Sequence, residues 1–386
     1  MGKKTNNLDY YILIPAVTLA LFGIVNVFSA SSNMASGSPF SFLIKQTFFV
    51  FVAVIVGTFL FKMRLNYLMS SRFLRIMLWI IIMLLAFARF IAPPVNGAHG
   101  WIMLPGFSLQ PAEFAKVALI VYFANFFARH PYQKGHALET TFKGGRWFLP
   151  SIILVLILVM PDMGNFAING FIVMVMLLAS GIAWYWAAGA FSAFGIIWVI
   201  LPKIIETMQI DPQKHYSLAR LVAFVNPWEY QQSSGTQLIN SYYAISNGGL
   251  FGVGLGNSIQ KTGYLPEPNT DFIMAVVGEE WGAIVIVIVL ALMGIIIGRI
   301  IQVGTRTHET YIRIMMYGIA AYLTIQVLIN LGGVSGVLPI TGVTFPFISY
   351  GGSSMLVLSI AIGLAMNASA TVSRARQMKV IQEKTR

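Results

Sequence analysis

The sequence predicts an all-α polytopic membrane protein: ten transmembrane helices, both termini cytoplasmic, and one large extracellular loop. Three observations predict it. Of 386 residues, 57% are hydrophobic and only 10% charged, where a water-soluble chain of this length carries about a quarter charged residues. Apolar runs long enough to cross a bilayer recur from end to end. The basic residues gather in alternate intervals between those runs, as cytoplasmic segments do.

Tyr10 to Ser29 follows Lys3 and Lys4 and is longer than the core of a cleavable leader, so it reads as an uncleaved anchor. Phe42 to Phe61, Phe73 to Ala92 and Ala112 to Ala128 come next, then Trp147 to Met160, which is short for a span. Gly164 to Ser180, Ala183 to Ile205, Phe272 to Arg299, Ile312 to Leu331 and Met355 to Thr371 complete the ten. With the N-terminus inside, the cytoplasmic segments hold Lys62, Arg64, Arg72 and Arg75, then Arg129, Lys134, Lys143 and Arg146, then Arg299, Arg306 and Arg313. A basic tail, 372–386, follows the last run. The outward intervals near 30–41, 93–110 and 332–349 contain no Lys or Arg. One missed or invented span scrambles that alternation.

The same placement explains the net charge of +12. It is largely a topology signal with some attraction to anionic lipid, and it argues against nucleic acid as a partner. The chain has no cysteine, which excludes disulfides, thiol catalysis and Cys-ligated zinc. Its five histidines are scattered, none at metal-ligand spacing, so no metal site is assigned. Residues 1–386 read as one membrane domain. No internal repeat is evident, which disfavours inverted-repeat transporters.

The large outward loop spans about 202–271, too long to lack structure, so helices and a function are expected within it. Gln237 to Ser246 is amphipathic at helical spacing and reads as an interfacial or membrane-dipping helix. Gly248, Gly249, Gly252, Gly254 and Gly256 follow. Their G-x-G-x-G spacing is no nucleotide fingerprint, because no strand precedes it and it faces outward.

The loop ends in Leu265 to Gly282, where a proline-broken polar segment runs into an apolar helix. Asp271 stands at that junction. An acidic residue at a helix start is favoured by the helix dipole alone. A partly desolvated carboxylate there also suits a general base. Glu279 and Glu280 lie roughly two turns further in, about 12 Å at 1.5 Å per residue, and acidic groups at membrane depth are usually functional. In Gln110 to Lys116, Glu113 and Lys116 share a helix face, either as a self-neutralising pair or with the lysine holding a phosphate. Arg220 sits alone in an apolar run, either snorkelling or recognising a pyrophosphate. Asp162 in PDMG reads as a turn residue and Asn96-Gly97 as a turn. The uncharged segment from Gly332 to Ser353 reads as re-entrant, and must be protein-buried or line a cavity.

At LPEPNTDFIMAVVGEEWG, QPAEFAK, PDMG, VNGAHGWI, SSGTQLINSYYAISNGGLFGVGLGNS and TGVTFPFISYGGSS the chain closely resembles the SEDS family (shape, elongation, division and sporulation), which includes FtsW and RodA. The resemblance covers essentially all ten spans. It implies a peptidoglycan glycosyltransferase that polymerises lipid II at the outer face of the bacterial cytoplasmic membrane. The GLGNSIQKTGYLPEPNTDF run is more similar to the division branch, FtsW, than to the elongation branch, RodA. The family's essential aspartate falls on Asp271, its helix-borne Glu and Lys on Glu113 and Lys116, and its loop arginine on Arg220. Glu267 and Thr270 join these as substrate-binding candidates. Two positions depart from the family: His99-Gly100 replaces an arginine-bearing segment, and Asn269 replaces a histidine.

The resemblance further implies the partners: lipid II, divisome proteins, and a class B penicillin-binding protein that supplies cross-linking. The mechanism it suggests is inverting, with Asp271 as base and Arg220 and Lys116 at the leaving group. No resident cofactor is assigned; a divalent cation held by leaving-group phosphates fits the same scheme. A lipid II flippase and a non-catalytic scaffold remain as rival classes.

Overall fold

The computed structural model describes residues 8–33, 38–94, 99–104, 107–130, 145–181, 216–232 and 235–384, with isolated positions between 185 and 200. Among the described residues the first six helices are α1 Tyr10–Ala30, α2 Pro39–Lys62, α3 Ser71–Phe90, α4 Pro111–Arg129, α5 Phe148–Val159 and α6 Met163–Ala179. Then come α7 Tyr216–Val225, α8 Thr236–Gly248, α9 Ile273–Arg306, α10 Thr310–Ser335 and α11 Gly352–Lys384. Seven of these are long and apolar enough to cross a membrane, and α5 and α6 are shorter apolar helices of 12 and 17 residues. The expected span at Ala183 to Ile205 falls largely outside the described residues, as does the turn at Asn96-Gly97.

Local chemistry sets the helix starts. Pro39 and Pro111 occupy first-turn positions, where a missing N–H costs nothing. Asp162 caps α6 by accepting from the Asn165 backbone N–H at 3.0 Å, which refines its reading as a turn residue. One element was not anticipated. An antiparallel hairpin pairs Ile102–Leu104 with Phe107–Leu109 in the register Ile102 to Leu109. The Pro105-Gly106 dipeptide between its arms was the available signal.

α4 and α10 are the most buried spans, whereas α2 and the far half of α9 give most of their surface to the surroundings. α10 packs against α4, α6 and α9; α1 packs on α9, and α2 on α11. Cross-links show which helix ends share a side of the bundle. Arg129 Nη2 donates to Met69 O at 2.6 Å, Asn367 Nδ2 to Leu60 O and Met63 O, and Arg299 Nε to Asp9 at 2.8 Å. That end collects Lys62, Arg64, Arg72, Arg75, Arg129, Arg299, Arg306 and Arg313. At the opposite end Asn269 meets Ser31, and Gln110 meets Asp162 and Ser353.

The helix expected from Phe272 to Arg299 is not continuous. Gly282 has φ 78 and ψ 176, which splits α9 into a short arm of about two and a half turns and a longer one. A break at membrane depth exposes backbone groups that must find partners. The glycine-rich segment supplies them. Val253 N and Gly254 N donate to Glu279 O and Glu280 O at 2.9 and 3.0 Å, and Ala283 N donates to Gly249 O at 2.9 Å. Close approach needs glycine on both sides. A Cβ at Gly282 would lie 2.3 Å from Leu250 O, and one at Gly248 would lie 2.0 Å from Gly278 O.

The loop does carry helices, α7 and α8, as expected. α8 packs on α9 and α10 through Leu238, Ile239, Ser241 and Ala244.

Candidate active site

Asp271 ends the loop two residues before α9, outside the membrane-spanning segment and half-buried. Its position is fixed from several sides. Asn330 on α10 donates through Nδ2 to Asp271 O at 2.8 Å and to Val343 O at 2.7 Å. Ser349 Oγ donates to Thr270 O at 2.6 Å and accepts from Phe345 N at 2.7 Å. Tyr350 N donates to Asn269 O at 2.8 Å, and Asn269 Nδ2 donates to Ser31 Oγ at 3.0 Å. Asn269, at the family's histidine position, thus acts here as a buried tie.

The segment expected to be re-entrant therefore supports the catalytic candidate. It is protein-buried: Ile340, Val343, Phe345, Phe347, Ile348 and Ser349 are all inside. It passes so close to α1 that a Cβ at Gly23 would lie 2.4 Å from Phe347 O.

Arg220 on α7 comes to the same place. A Cβ at Gly342 would lie 3.3 and 3.7 Å from the two terminal guanidinium nitrogens of Arg220, and 3.8 Å from Asp271 Oδ2. Cation and carboxylate thus flank one glycine, whose φ of 73 and missing side chain keep the space open. A niche of about 10 Å³, enough for one water, is lined by Asp271, Asn330, Thr341 and Gly342.

Glu267 and Thr270 complete the cluster. Thr270 Oγ lies 3.0 Å from Asp271 Oδ1 and 3.3 Å from Glu267 Oε2. One hydroxyl has one proton, so it donates to one carboxylate at a time. Burial raises the Asp271 carboxyl above its ordinary value; Arg220, the Thr270 hydroxyl and nearby backbone N–H groups hold that rise back. Glu267 is raised by burial and then by the Asp271 charge, with Thr270 and Arg220 opposing. Both carboxyls therefore take up protons more readily than they would in water.

Glu113 and Lys116 lie deeper. They pair at 2.5 Å, with Lys116 fully buried and 5.4 Å from the Tyr322 ring centroid. Lys116 Nζ also reaches Gln326 Oε1 at 3.4 Å, and Gln326 Nε2 donates to Thr344 O at 3.0 Å. The pair thus touches the re-entrant segment through Gln326. Sequence reasoning missed Gln326 and Asn330. Two carboxamides four residues apart on an apolar helix were the signal, since intramembrane polar groups need partners.

Glu279 and Glu280 belong to another network. Glu279 accepts from Ser258 Oγ, Asn247 Nδ2 and Ile259 N at 2.5, 2.8 and 3.0 Å. Glu280 pairs with Lys261 at 2.6 Å and accepts from Ser29 Oγ. Both carboxylates are inside and fully partnered, so their depth reflects the locking of the 253–262 segment onto the break in α9. Among the described residues no three His, Asp or Glu side chains come together as a metal-binding set.

A family model for FtsW, RodA and SpoVE, described as cell cycle proteins, matches residues 9–374. The chain is 40% identical over 400 residues to a probable peptidoglycan glycosyltransferase FtsW of Lactococcus lactis subsp. lactis (strain IL1403), covering 96% of this chain and 94% of that one. It is 35% identical over 387 residues to the protein of the same name from Bacillus subtilis (strain 168), covering 98% and 94%. Two similarities to solved structures, each at 23% identity, concern the fold. A peptidoglycan synthase complex, described for its coordination of polymerization and crosslinking, contains a chain that aligns with a TM-score of 0.74 over 95% of this chain and 98% of its own. The rod shape determining protein RodA of Thermus thermophilus aligns with a TM-score of 0.64 over 94% and 96%.

Proposed function

The chain belongs to the FtsW, RodA and SpoVE family of cell cycle proteins, and from that premise we propose that it is a multi-pass membrane glycosyltransferase that polymerises lipid II into septal glycan strands. The observation that carries the reading is the meeting of Asp271, Arg220 and the open Gly342 position at the end of the bundle opposite its basic residues. A base and a cation held within reach of one another are what an inverting glycosyl transfer requires.

In this mechanism the Asp271 carboxylate takes the proton of the GlcNAc 4-hydroxyl of one lipid II. The freed oxygen attacks C1 of the lipid-linked MurNAc donor from the face opposite the pyrophosphate. The C1–O bond breaks, undecaprenyl pyrophosphate leaves with the bond's electrons, and C1 inverts. Arg220 meets the charge that develops on the leaving phosphate, where a fixed donor is most effective. The raised affinity of Asp271 for a proton brings it closer to the working pH, as general-base catalysis favours. Thr270 relays that proton: its hydroxyl gives its own hydrogen to the Glu267 carboxylate and takes one from Asp271. Glu113, Lys116 and Gln326 hold the re-entrant segment under the site. Polyprenyl tails lie along the lipid-facing helices, with the basic end toward the cytoplasm. Should a divalent cation take part, it arrives on the substrate's phosphates. A class B penicillin-binding protein is the expected partner, matching the coupling of polymerization to crosslinking described for the similar complex.

The test is glycan formation from purified lipid II by the full-length protein, resolved on a gel. Asp271→Asn is expected to abolish polymer while the protein unfolds at an undiminished temperature. Polymer at the native level from that variant overturns the assignment. Leaflet movement of lipid II in vesicles with no polymer made favours the flippase.

A further inference from the structure

A second site is formed at the other end of the molecule, away from any proposed chemistry. There α1 and the last turns of α9 enclose a groove of about 430 Å³, lined by Tyr11, Gly294, Gly298, Arg299, Gln302 and Arg306. Its lining changes along one axis. Gly294, Gly298, Gln302 and Arg306 recur every four residues, forming a single face about 18 Å long. The upper half is bare, since a Cβ at Gly294 or Gly298 would meet nothing within 4 Å. The lower half is polar and ends in exposed Arg306.

Arg299 is already set in place. Its Nε donates to both Asp9 oxygens at 3.0 and 2.8 Å, its Nη1 to Gln302 Oε1 at 2.5 Å, and its guanidinium lies 5.4 Å from the Tyr11 ring centroid. Asp9 is itself held by Ser369 Oγ. These contacts occupy Nε and Nη1 and leave Nη2 as a fixed donor edge beside the groove. Asp9 neutralises one charge. Arg306 makes no ion pair among the described residues, so a positive surplus remains at the polar end.

We propose that this groove binds an anionic phospholipid, its phosphate between Arg299 and Arg306 and one acyl chain laid over Gly294 and Gly298. The gradient selects that occupant. A free phosphate uses the arginines and leaves the bare upper half unfilled. A second transmembrane helix fits Gly294 and Gly298, which have the spacing of a helix-packing pair, but it covers Arg306 without supplying an anion. A phospholipid satisfies both halves, at the depth where headgroups meet hydrocarbon.

The test uses the purified full-length protein in phosphatidylcholine vesicles. These contain trace chain-spin-labelled phosphatidylglycerol or, separately, chain-spin-labelled phosphatidylcholine, and the motionally restricted fraction is measured for each. The native protein is expected to favour phosphatidylglycerol about threefold. Arg306→Gln, on the exposed last turn, and Gly298→Leu, which fills the groove without touching charge, are each expected to remove most of that preference. Equal association of the two lipids overturns the proposal. So does a preference lost in Arg306→Gln but intact in Gly298→Leu, which indicates charge at a helix end with no groove. Loss of the preference on adding inorganic phosphate, with salt held constant, assigns the arginines to free phosphate and likewise overturns it. A shift of Gly298→Leu from dimer to monomer with no lipid preference assigns the face to a second helix. If Gly298→Leu fails to fold, Gly294→Leu takes its place, since a Cβ there also meets nothing within 4 Å.

Discussion

Asp271 carries two demands of opposite sign. Because its folded value is raised, the folded protein holds that proton more tightly than the unfolded chain does. The resulting stability is fully present below the unfolded value and is lost as pH rises through the folded one. Near neutral pH the ionised carboxylate therefore burdens the fold, and Asp271→Asn should unfold at the same temperature or higher while its glycan synthesis drops by about 10²-fold or more. For activity the sign reverses, because a base must be ionised: the rate should fall as pH drops through the raised value. Arg220 opposes that rise, so Arg220→Gln should move the acid limb to higher pH as well as lower the plateau. A pH profile of polymer formation checks both. The aspartate was legible because a charge at the edge of an apolar run breaks the hydropathy pattern. Asn330 was not, because a neutral carboxamide hardly alters it. Asn330→Leu removes the bonds to Asp271 O and Val343 O. It should cut the rate by about 10²-fold, the scale of an ångström-sized misplacement, with Asp271 still present. An unchanged rate would separate Asn330 from the positioning of the base.

At the scale of elements, α9 shows what periodicity hides. Apart from Glu279 and Glu280, the run from Phe272 onward is apolar on both sides of Gly282, so composition predicts one helix, and only φ 78 reveals two. The glycines of 248–256 were visible as a cluster but not as the partner of that break, since the pairing is tertiary. Gly282→Ala combines a left-handed backbone with a 2.3 Å approach to Leu250 O. It should cost well over 2 kcal/mol and abolish a cooperative thermal transition. Gly170→Ala in α6, where a Cβ meets nothing within 4 Å, should be neutral or stabilising by up to about 1 kcal/mol. Lys261 and Glu280 give a second check on the same junction. Both are buried, so Lys261→Met alone leaves a bare carboxylate and should cost about 3–5 kcal/mol. Adding Glu280→Gln should recover much of it, because the stranded charge is then gone. Thermal unfolding of the two variants in detergent decides between a locked pair and a solvated one.

Taken whole, the molecule separates charge by end. The alternation of Lys and Arg along the sequence was enough to group the helix ends, because each crossing reverses direction and basic residues resist transfer. The cross-links of Arg129 to Met69 and of Asn367 to Leu60 bring the segments predicted to share a side together. The packing of the segment before α11 was less legible, since nothing in TGVTFPFISYGGSS says which helices an uncharged chain will meet. Which end faces the cytoplasm is a prediction of the charge rule, and labelling from one side of the membrane tests it. The chain has no cysteine, so single cysteines report on it without background. Tyr264, 57% exposed near the Asp271 end, and Met378, 60% exposed on the basic extension of α11, mark the two sides. A membrane-impermeant maleimide should label Tyr264→Cys in intact cells and reach Met378→Cys only after permeabilisation. The reverse order would place Asp271 in the nucleotide-rich compartment, where a lipid-linked disaccharide displayed on the outer leaflet never meets it, and the base would have no hydroxyl to deprotonate.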